Sequence, residues 1–206
     1  MSGRGYEAAK RTLDLAVASA VAVVASPLLA GIAAAIKLDD RGPIFFRQER
    51  IGLHGRPFRI VKFRTLAGAP PQEPIDYLIS AADPRITGVG RFLRRWSLDE
   101  LPQLWNVLRG EMSIVGPRPT LRYQVEQYDD FQRRRLEVRP GVTGWAQVSG
   151  RNELPWPERI ELDVWYVENR SLWLDLRILA ATPATLFRPR SVYNDAQGDW
   201  GERERT

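Results

Sequence analysis

"LAVASAVAVVASPLLAGIAAAI", residues 15–36, contains no charged side chain. As an α-helix it would be about 33 Å long, close to the ~30 Å thickness of the hydrocarbon core of a bilayer. A cleaved signal peptide fits poorly, because Asp14 leads into the stretch and the stretch is long for the apolar region of a signal peptide. The sequence therefore predicts a membrane-inserted helix within residues 1–40, followed by a folded part outside the membrane.

Ser26 and Pro27 divide this apolar helix into two arms of about 11 residues, each ~17 Å long and enough for one leaflet. Proline removes a backbone donor and favours a kink, and a serine beside it can bond to a backbone carbonyl. Basic residues flank both ends, which favours cytoplasm on both sides. A re-entrant helix broken at Ser26-Pro27 satisfies these features, although a kinked spanning helix is equally compatible with the residues alone.

Charge and residue types narrow the chemistry. The 206 residues include 30 Lys+Arg and 25 Asp+Glu, and the net charge of +5 suits an anionic partner such as nucleic acid, phospholipid or a phosphorylated substrate. There is no Cys and only one His, His54, which excludes thiolate chemistry and argues against structural zinc. Any metal would be a hard cation held by oxygen atoms, Mg²⁺ or Mn²⁺.

Strand-like and helix-like patterns alternate after residue 40, which indicates a mixed α/β fold. "IFFRQERIGLHGRPFRIVKFRTL", residues 44–66, predicts two strands around a turn that contains His54. An apolar stripe predicts one helix over residues 91–109, ending at Gly110. Further helices are predicted over residues 120–137, 157–169 and 171–187, the last either in the core or at the membrane interface, whereas residues 139–152 read as irregular.

Asp99 and Glu100 are adjacent acids in "RRWSLDELPQLWNVLRGEMSIVGPRP", residues 94–119. They have a purely structural interpretation as helix caps. Ser97 and Glu100 fit the capping-box pattern S-x-x-E, and Asp99 is itself a favourable N-cap residue.

The same acids also have a functional interpretation, because Arg94 and Arg118 lie close to them in sequence. A carboxylate beside arginines has a depressed pKa and stays ionised, so it can attack phosphorus or bind Mg²⁺. The cations would neutralise a diphosphate. The sequence motifs of the usual phosphate-binding loops are missing. The stretch most like a dinucleotide-binding motif, "GVGRFL", lacks the third glycine. Lys62, Arg64 and residues 133–135 read, on their own, as solvated charges.

Many stretches, taken together, resemble the bacterial sugar transferase family, and within it the small monotopic phosphoglycosyl transferases. The resemblance covers roughly residues 9 to 190, and the chain starts directly at the membrane segment, as in the minimal form of that family. The matching stretches, in family order, are "KRTLDL", "SPLL", "GPIFFRQERIG", "FRIVKFRTL", "DPRITGVGRFLRRWSLDELPQLWNVLRGEMSIVGPRP", "RPGVTGWAQVSGRN" and "ELDVWYV".

The resemblance implies an architecture and a set of site residues. Residues 1–40 would form the re-entrant helix, residues 41–190 a compact mixed α+β catalytic domain with amphipathic interfacial helices, and residues 191–206 a tail. The domain would lie on the cytoplasmic face of the bacterial inner membrane. The implied site residues are Asp99 as nucleophile, Glu100 as its partner, both with Mg²⁺ (Mn²⁺ as the alternative), Lys62, Arg94 and Arg118 at the phosphates, and Arg151 at the nucleotide sugar.

The implied reaction transfers a phosphosugar from a UDP-sugar to polyprenyl (undecaprenyl) phosphate. It releases UMP and proceeds in two steps through a covalent aspartyl-phosphosugar intermediate. Glu100 would either hold the metal or deprotonate the acceptor. The product would serve exopolysaccharide, O-antigen or other glycoconjugate assembly, with downstream glycosyltransferases as further candidate partners. The alternative is a non-catalytic membrane-bound scaffold, and a nucleic-acid partner is not expected because no recognition platform is present.

Overall fold

The structure, a computed structural model, describes residues 3–68, 83–150 and 154–187. It mixes helices with two small sheets, as predicted. Short 3₁₀ segments occupy Leu53–Gly55, Leu98–Gln103 and Arg134–Glu137. The longer elements are α1 (Gly3–Asp40), β1 (Phe45–Ile51), β2 (Pro57–Phe63), α2 (Gly88–Arg95), α3 (Leu104–Leu108), β3 (Ser113–Val115), α4 (Arg122–Glu126), α5 (Asp130–Arg133), β4 (Gly141–Thr143), α6 (Trp145–Ser149), α7 (Trp156–Asn169) and α8 (Leu172–Phe187).

Strands β1 and β2 form the predicted antiparallel hairpin. His54 lies in its turn with a φ of 55°, so the turn prediction for this residue is confirmed. Phe46 lies opposite Lys62 in the register, which places Lys62 two residues from the fully buried Ile60 on the inner side. The backbone amide at the end of β1 donates to Thr120 O (2.9 Å). The hairpin therefore lies beside the segment that follows the Pro-Arg-Pro turn.

Strands β3 and β4 pair in parallel, with Ser113 opposite Gly141 and with their carboxyl ends at the same edge. The Pro-Arg-Pro turn follows β3 at this edge, and α6 follows β4. Gly116, directly after β3, has no room for a side chain, because a Cβ would lie 2.4 Å from Arg139 O. The prediction that residues 139–152 are irregular is wrong for β4 and α6. Both elements are too short to show a repeating pattern of apolar residues in the sequence.

The prediction of a single helix over residues 91–109 is wrong. The chain forms α2, a 3₁₀ segment and α3 instead, and Ser97 between the first two adopts a left-handed φ of 53°. Pro102, which has no backbone N–H, lies in the 3₁₀ segment. The helix predicted over residues 120–137 is likewise divided into α4, α5 and a 3₁₀ segment. The helices predicted over residues 157–169 and 171–187 are confirmed as α7 and α8.

Helix α1 is anchored to the rest of the fold at both ends. Ala18 is fully buried in the largest core cluster, together with residues of α3, β3, α7 and α8. Ile32 and Ile36 are buried in a second cluster with Phe63 and Leu93. The 13 residues between Ala18 and Ile32 are mostly exposed, although their side chains are mainly apolar. The apolar helix thus leaves the core and returns to it.

Polar contacts strengthen both attachments. Arg11 donates to two backbone carbonyls at the end of α3 (2.7 and 3.0 Å), and Asp14 accepts from two groups of β3 (both 2.9 Å). Lys10 pairs with the buried Asp175 of α8 (3.1 Å). At the other end, Asp40 pairs with Arg64. The charges that flank the apolar stretch therefore also dock the helix.

An 18-residue window of α1 has a mean hydropathy of 2.2, so the helix is long and apolar enough to cross a membrane. Helical structure continues through Pro27. Ser26 Oγ donates to Val23 O (2.8 Å), as expected for a serine beside a proline. The re-entrant path is not tested by this geometry and stays a prediction. The tail over residues 191–206 lies outside the described residues, and so does Arg151.

Helix α8 has two different faces. Leu174, Asp175 and Ile178 are buried, whereas Trp173 is 76% exposed and Leu176 is 47% exposed. The sequence left open whether residues 171–187 belong to the core or to an interface. One face packs in the core, and the opposite face presents apolar side chains to the outside.

Candidate active site

Asp99 and Glu100 lie in the 3₁₀ segment between α2 and α3, which packs against β2. Neither acid caps a helix. Ser97 precedes the segment in a left-handed conformation, and its side chain makes no capping hydrogen bond. The Glu100 carboxylate bonds to side chains of two other elements instead of turning back to Ser97. Both cap interpretations are therefore wrong.

Glu100 is held by two cations. Its Oε1 accepts from Lys62 Nζ (2.7 Å) and Arg118 Nη2 (2.6 Å), and its Oε2 accepts from Arg118 Nη1 (3.2 Å). Burial alone would raise the pKa of this carboxyl, but the charges of Arg118 and Lys62 hold the pKa well below its usual range. Glu100 is therefore ionised at neutral pH and is a weak proton acceptor.

Asp99 is in the opposite electrostatic state. Its carboxylate accepts no side-chain hydrogen bond within the part of the chain that the structure describes. Burial raises the pKa of Asp99 to about 6, and the negative charge of Glu100 adds to this, while Lys62 and Arg94 oppose it. With that pKa, roughly 90% of the carboxyl is ionised at pH 7. The predicted depressed pKa is right for Glu100 and wrong for Asp99.

Lys62 and Arg118 approach Glu100 from different elements. Lys62 extends from β2, and burial lowers its pKa while the charge of Glu100 partly restores it. The Arg118 side chain is 48% exposed, although both of its terminal nitrogens bond to Glu100. The interpretation of Lys62 as a solvated charge is wrong, since its side chain is only 18% exposed.

Arg94 lies in the last turn of α2, and its charge acts on the Asp99 carboxyl. Its Nε donates to Thr65 Oγ1 (2.8 Å), which orients the guanidinium. Gly90, one turn earlier, allows α2 to lie against Thr65, because a Cβ there would be 2.2 Å from Thr65 O. The structure thus brings five of the six predicted site residues together, and Arg151 lies outside the described residues.

The family model for bacterial sugar transferases matches residues 5–189, which include every residue of this site. The chain belongs to the bacterial sugar transferase family. The resemblance and the assignment as an enzyme of the transferase class are confirmed.

Individual relatives agree with this assignment. The uncharacterized sugar transferase EpsL of Bacillus subtilis (strain 168) is 45% identical over 173 residues, with 84% of each chain covered. The exopolysaccharide production protein ExoY of Rhizobium meliloti (strain 1021) is 41% identical, with 90% of this chain and 88% of the relative covered. The UDP-glucose:undecaprenyl-phosphate glucose-1-phosphate transferase of Escherichia coli (strain K12) is 42% identical over 89% of this chain. This transferase therefore spans most of two relatives but only 41% of the third.

Candidate metal ligands are not clustered in the part of the chain that the structure describes. Within residues 3–68, 83–150 and 154–187, no group of three or more His, Cys, Asp or Glu side chains could hold an ion. Mg²⁺, however, commonly binds through one or two carboxylates together with substrate phosphates. The unengaged Asp99 fits such a site better than Glu100, whose oxygens already accept hydrogen bonds from Lys62 and Arg118.

Sequence reasoning missed Arg135. The run of arginines at residues 133–135 was expected to be solvated, but the Arg135 side chain is 3% exposed and pairs with Asp163 of α7. Its guanidinium also donates to Arg118 O (3.0 Å). No local signal in the sequence distinguishes Arg135 from its two neighbours, because both contacts join distant parts of the chain.

Proposed function

We propose that the chain transfers a phosphosugar from a UDP-sugar to polyprenyl phosphate, through a covalent intermediate on Asp99. The observation that carries this proposal is the contrast between two adjacent carboxylates. Glu100 is neutralised by Lys62 and Arg118, whereas Asp99 has no hydrogen-bond partner among the described side chains and has a raised pKa. An unengaged carboxylate inside a ring of cations is suited to attack an anionic phosphorus centre.

In the first step, an Asp99 carboxylate oxygen forms a bond to the phosphorus that carries the sugar. The bond from this phosphorus to the oxygen of UMP breaks, and UMP leaves with the electron pair. Arg118 and Arg94, whose charges act on this pair of carboxylates, would stabilise charge on the phosphate oxygens. In the second step, a phosphate oxygen of the acceptor attacks the same phosphorus, which releases the Asp99 carboxylate and forms the polyprenyl diphosphate sugar.

Glu100 is better suited to orient Lys62 and Arg118 than to accept a proton, because those cations hold its pKa low. Mg²⁺, or Mn²⁺ in its place, would be held by Asp99 and the substrate phosphates, with Glu100 beside it. When bound, the ion would neutralise the diphosphate and favour departure of UMP. The rest of the site consists of the side chains of Asp99, Glu100, Lys62, Arg94 and Arg118.

The membrane path is proposed to be re-entrant. Both ends of α1 pack on the same domain, and the exposed part between Ala18 and Ile32 has 13 residues. A helix of that length covers about 20 Å, short of the ~30 Å needed to cross the hydrocarbon core. A helix that enters and leaves on one face, bent near Ser26-Pro27, is compatible with both attachments. Basic flanks favour the cytoplasmic face of the inner membrane.

Exposed aromatic side chains support contact of the domain with the lipid interface. Phe92 of α2, Trp105 of α3 and Trp173 of α8 are 57%, 58% and 76% exposed, and all three helices pack against α1. Aromatic side chains prefer the headgroup level of a bilayer. These helices are therefore proposed as the amphipathic interfacial helices, which would hold the site at the depth of the acceptor phosphate.

The donor is proposed to be a UDP-sugar, with UDP-glucose as the first to test because an Escherichia coli relative is named for it. A role in exopolysaccharide assembly is supported by the name of ExoY. The same product would be a precursor for O-antigen or other glycoconjugates, and the downstream glycosyltransferases would be partners.

Intact-mass spectrometry tests the covalent step. The full chain in detergent is incubated with Mg²⁺ and a panel of UDP-sugars, without acceptor, beside Asp99→Asn and Glu100→Gln. We expect a mass gain of one phosphosugar in the wild type and none in Asp99→Asn, whereas Glu100→Gln keeps a nucleophile and forms the adduct slowly. An adduct on Asp99→Asn would refute the nucleophile assignment. No adduct, and no UMP release after polyprenyl phosphate is added, would favour the non-catalytic scaffold.

A further inference from the structure

Arg135 is held in place on several sides. Its Nη1 donates to Tyr128 Oη (2.6 Å), and its Nη2 donates to Arg118 O (3.0 Å) and forms the ion pair with Asp163. The guanidinium also lies 5.7 Å from the ring centres of Tyr128 and Trp156. A planar group with three acceptors and two neighbouring rings has little freedom to shift, so Arg118 O has a fixed partner.

Stability alone does not account for this arrangement. Burial raises the pKa of Asp163 to about 6 even though Arg135 lies beside it. Asp163 Oδ1 is buried and has no hydrogen-bond partner among the described residues. A buried ion pair with an unsatisfied oxygen contributes little net stability, since desolvation offsets the attraction between the charges. The Arg135–Asp163 pair instead has a geometric effect, because Arg135 also holds the backbone carbonyl of Arg118.

We propose that Arg135 and Asp163 are positioning residues that fix the Pro-Arg-Pro turn, so that Arg118 keeps its two hydrogen bonds to Glu100. The backbone carbonyl that Arg135 holds belongs to the same residue whose side chain holds Glu100. The prolines on either side of Arg118 have fixed φ angles, so the turn has few other ways to place the guanidinium. This proposal rests on the proposed function, in which Arg118 stabilises the reacting phosphate.

Two variants of the full chain in detergent test the proposal. Arg135→Met with Asp163→Leu replaces the pair by apolar side chains, a change that buried pairs often tolerate. Arg135→Lys keeps the charge but removes the planar fork of donors. For both we expect kcat to fall roughly tenfold to a hundredfold, as for other small displacements of catalytic groups, with a smaller change in KM for the UDP-sugar.

Coupling to Arg118→Ala distinguishes positioning from a general loss of stability. In an Arg118→Ala background, Arg135→Lys should cost less than about a further twofold in kcat, because its effect acts through Arg118. Lys10→Met is the matched control, since it removes another buried cation, from the ion pair with Asp175. The fold-change in kcat of the double variant Lys10→Met with Arg118→Ala should equal the product of the fold-changes of the two single variants. If Arg135→Lys and Arg118→Ala also combined as a product, the proposal would be overturned.

Hydrogen–deuterium exchange gives a readout that does not need activity. We expect faster amide exchange over residues 116–121 in Arg135→Lys than in the wild type, with the exchange of α7 little changed. Unchanged exchange over residues 116–121 would refute the positioning role, whatever the enzyme does. A wild type that reacts with no UDP-sugar would instead refute the proposed function, while the exchange data would still decide whether Arg135 fixes the turn.

Discussion

Replacement of the proposed nucleophile by its neutral isostere should stabilise the protein. The pKa of Asp99 is raised by burial from 3.8 to about 6. The folded state therefore binds a proton more tightly than the unfolded state, so stability is lost as the pH rises from 3.8 to about 6 and the full cost remains above that pH. This rise in the pKa corresponds to roughly 3 kcal/mol at pH 7.5, as an upper bound. Asp99→Asn removes this cost.

The gain should depend on pH in a defined direction. At pH 4.5 Asp99 of the folded wild type is already protonated. Asp99→Asn should therefore raise the free energy of unfolding by only about 1 kcal/mol at this pH. For a chain of 206 residues, 3 kcal/mol corresponds to a rise in Tm of about 7 °C. Thermal unfolding in detergent, followed by the fluorescence of the 7 tryptophans, measures both values.

Glu100→Gln is the matched control for this experiment. Its carboxylate has a pKa held low by Arg118 and Lys62, so its ionised form stabilises the folded state at neutral pH, and the neutral glutamine should lower the Tm. The two adjacent substitutions thus change stability in opposite directions. A loss of stability in Asp99→Asn at pH 7.5, or an equal gain at both pH values, would contradict the electrostatic assignment of the pair.

Two further predictions concern activity. The rate of UMP release should fall about tenfold per pH unit below the pKa of Asp99. Glu100→Gln should move this fall in rate to lower pH, because the charge of Glu100 raises the pKa of Asp99. An unchanged pH dependence in Glu100→Gln would count against Asp99 as the titrating group. Thr65→Val removes the acceptor for Arg94 Nε and should lower kcat/KM for the UDP-sugar about three- to tenfold, the value of one hydrogen bond. Thr12→Val, at an exposed threonine of α1, should leave kcat/KM unchanged.

The sequence was informative where local pattern and structure coincide. The hairpin follows from β-rich runs around the turn that contains His54, and its register then brings Lys62 to the inner side. The break at Ser97 was not predictable from the apolar stripe. Residues three apart share a face in both α- and 3₁₀-helices, so the stripe continues while the backbone changes.

The electrostatics of the site depended on tertiary structure. Neighbouring arginines predicted a low pKa for both acids, and this holds only for Glu100, which contacts Lys62 and Arg118 directly. Asp99 has the same neighbours in sequence, but burial without a hydrogen bond raises its pKa. Arg135 could not be recognised either, since its partner Asp163 lies on α7, 28 residues further along the chain.

The double attachment of α1 means that this apolar helix and the rest of the described fold are one folding unit. Removal of residues 1–40 would uncover the apolar surface around Val107 and Ile114, where Ala18 now packs. It would also leave the buried Asp175 without its cation Lys10. A form of this transferase shortened by deletion of α1 would therefore expose part of its core, and it would need a redesigned surface in place of that helix.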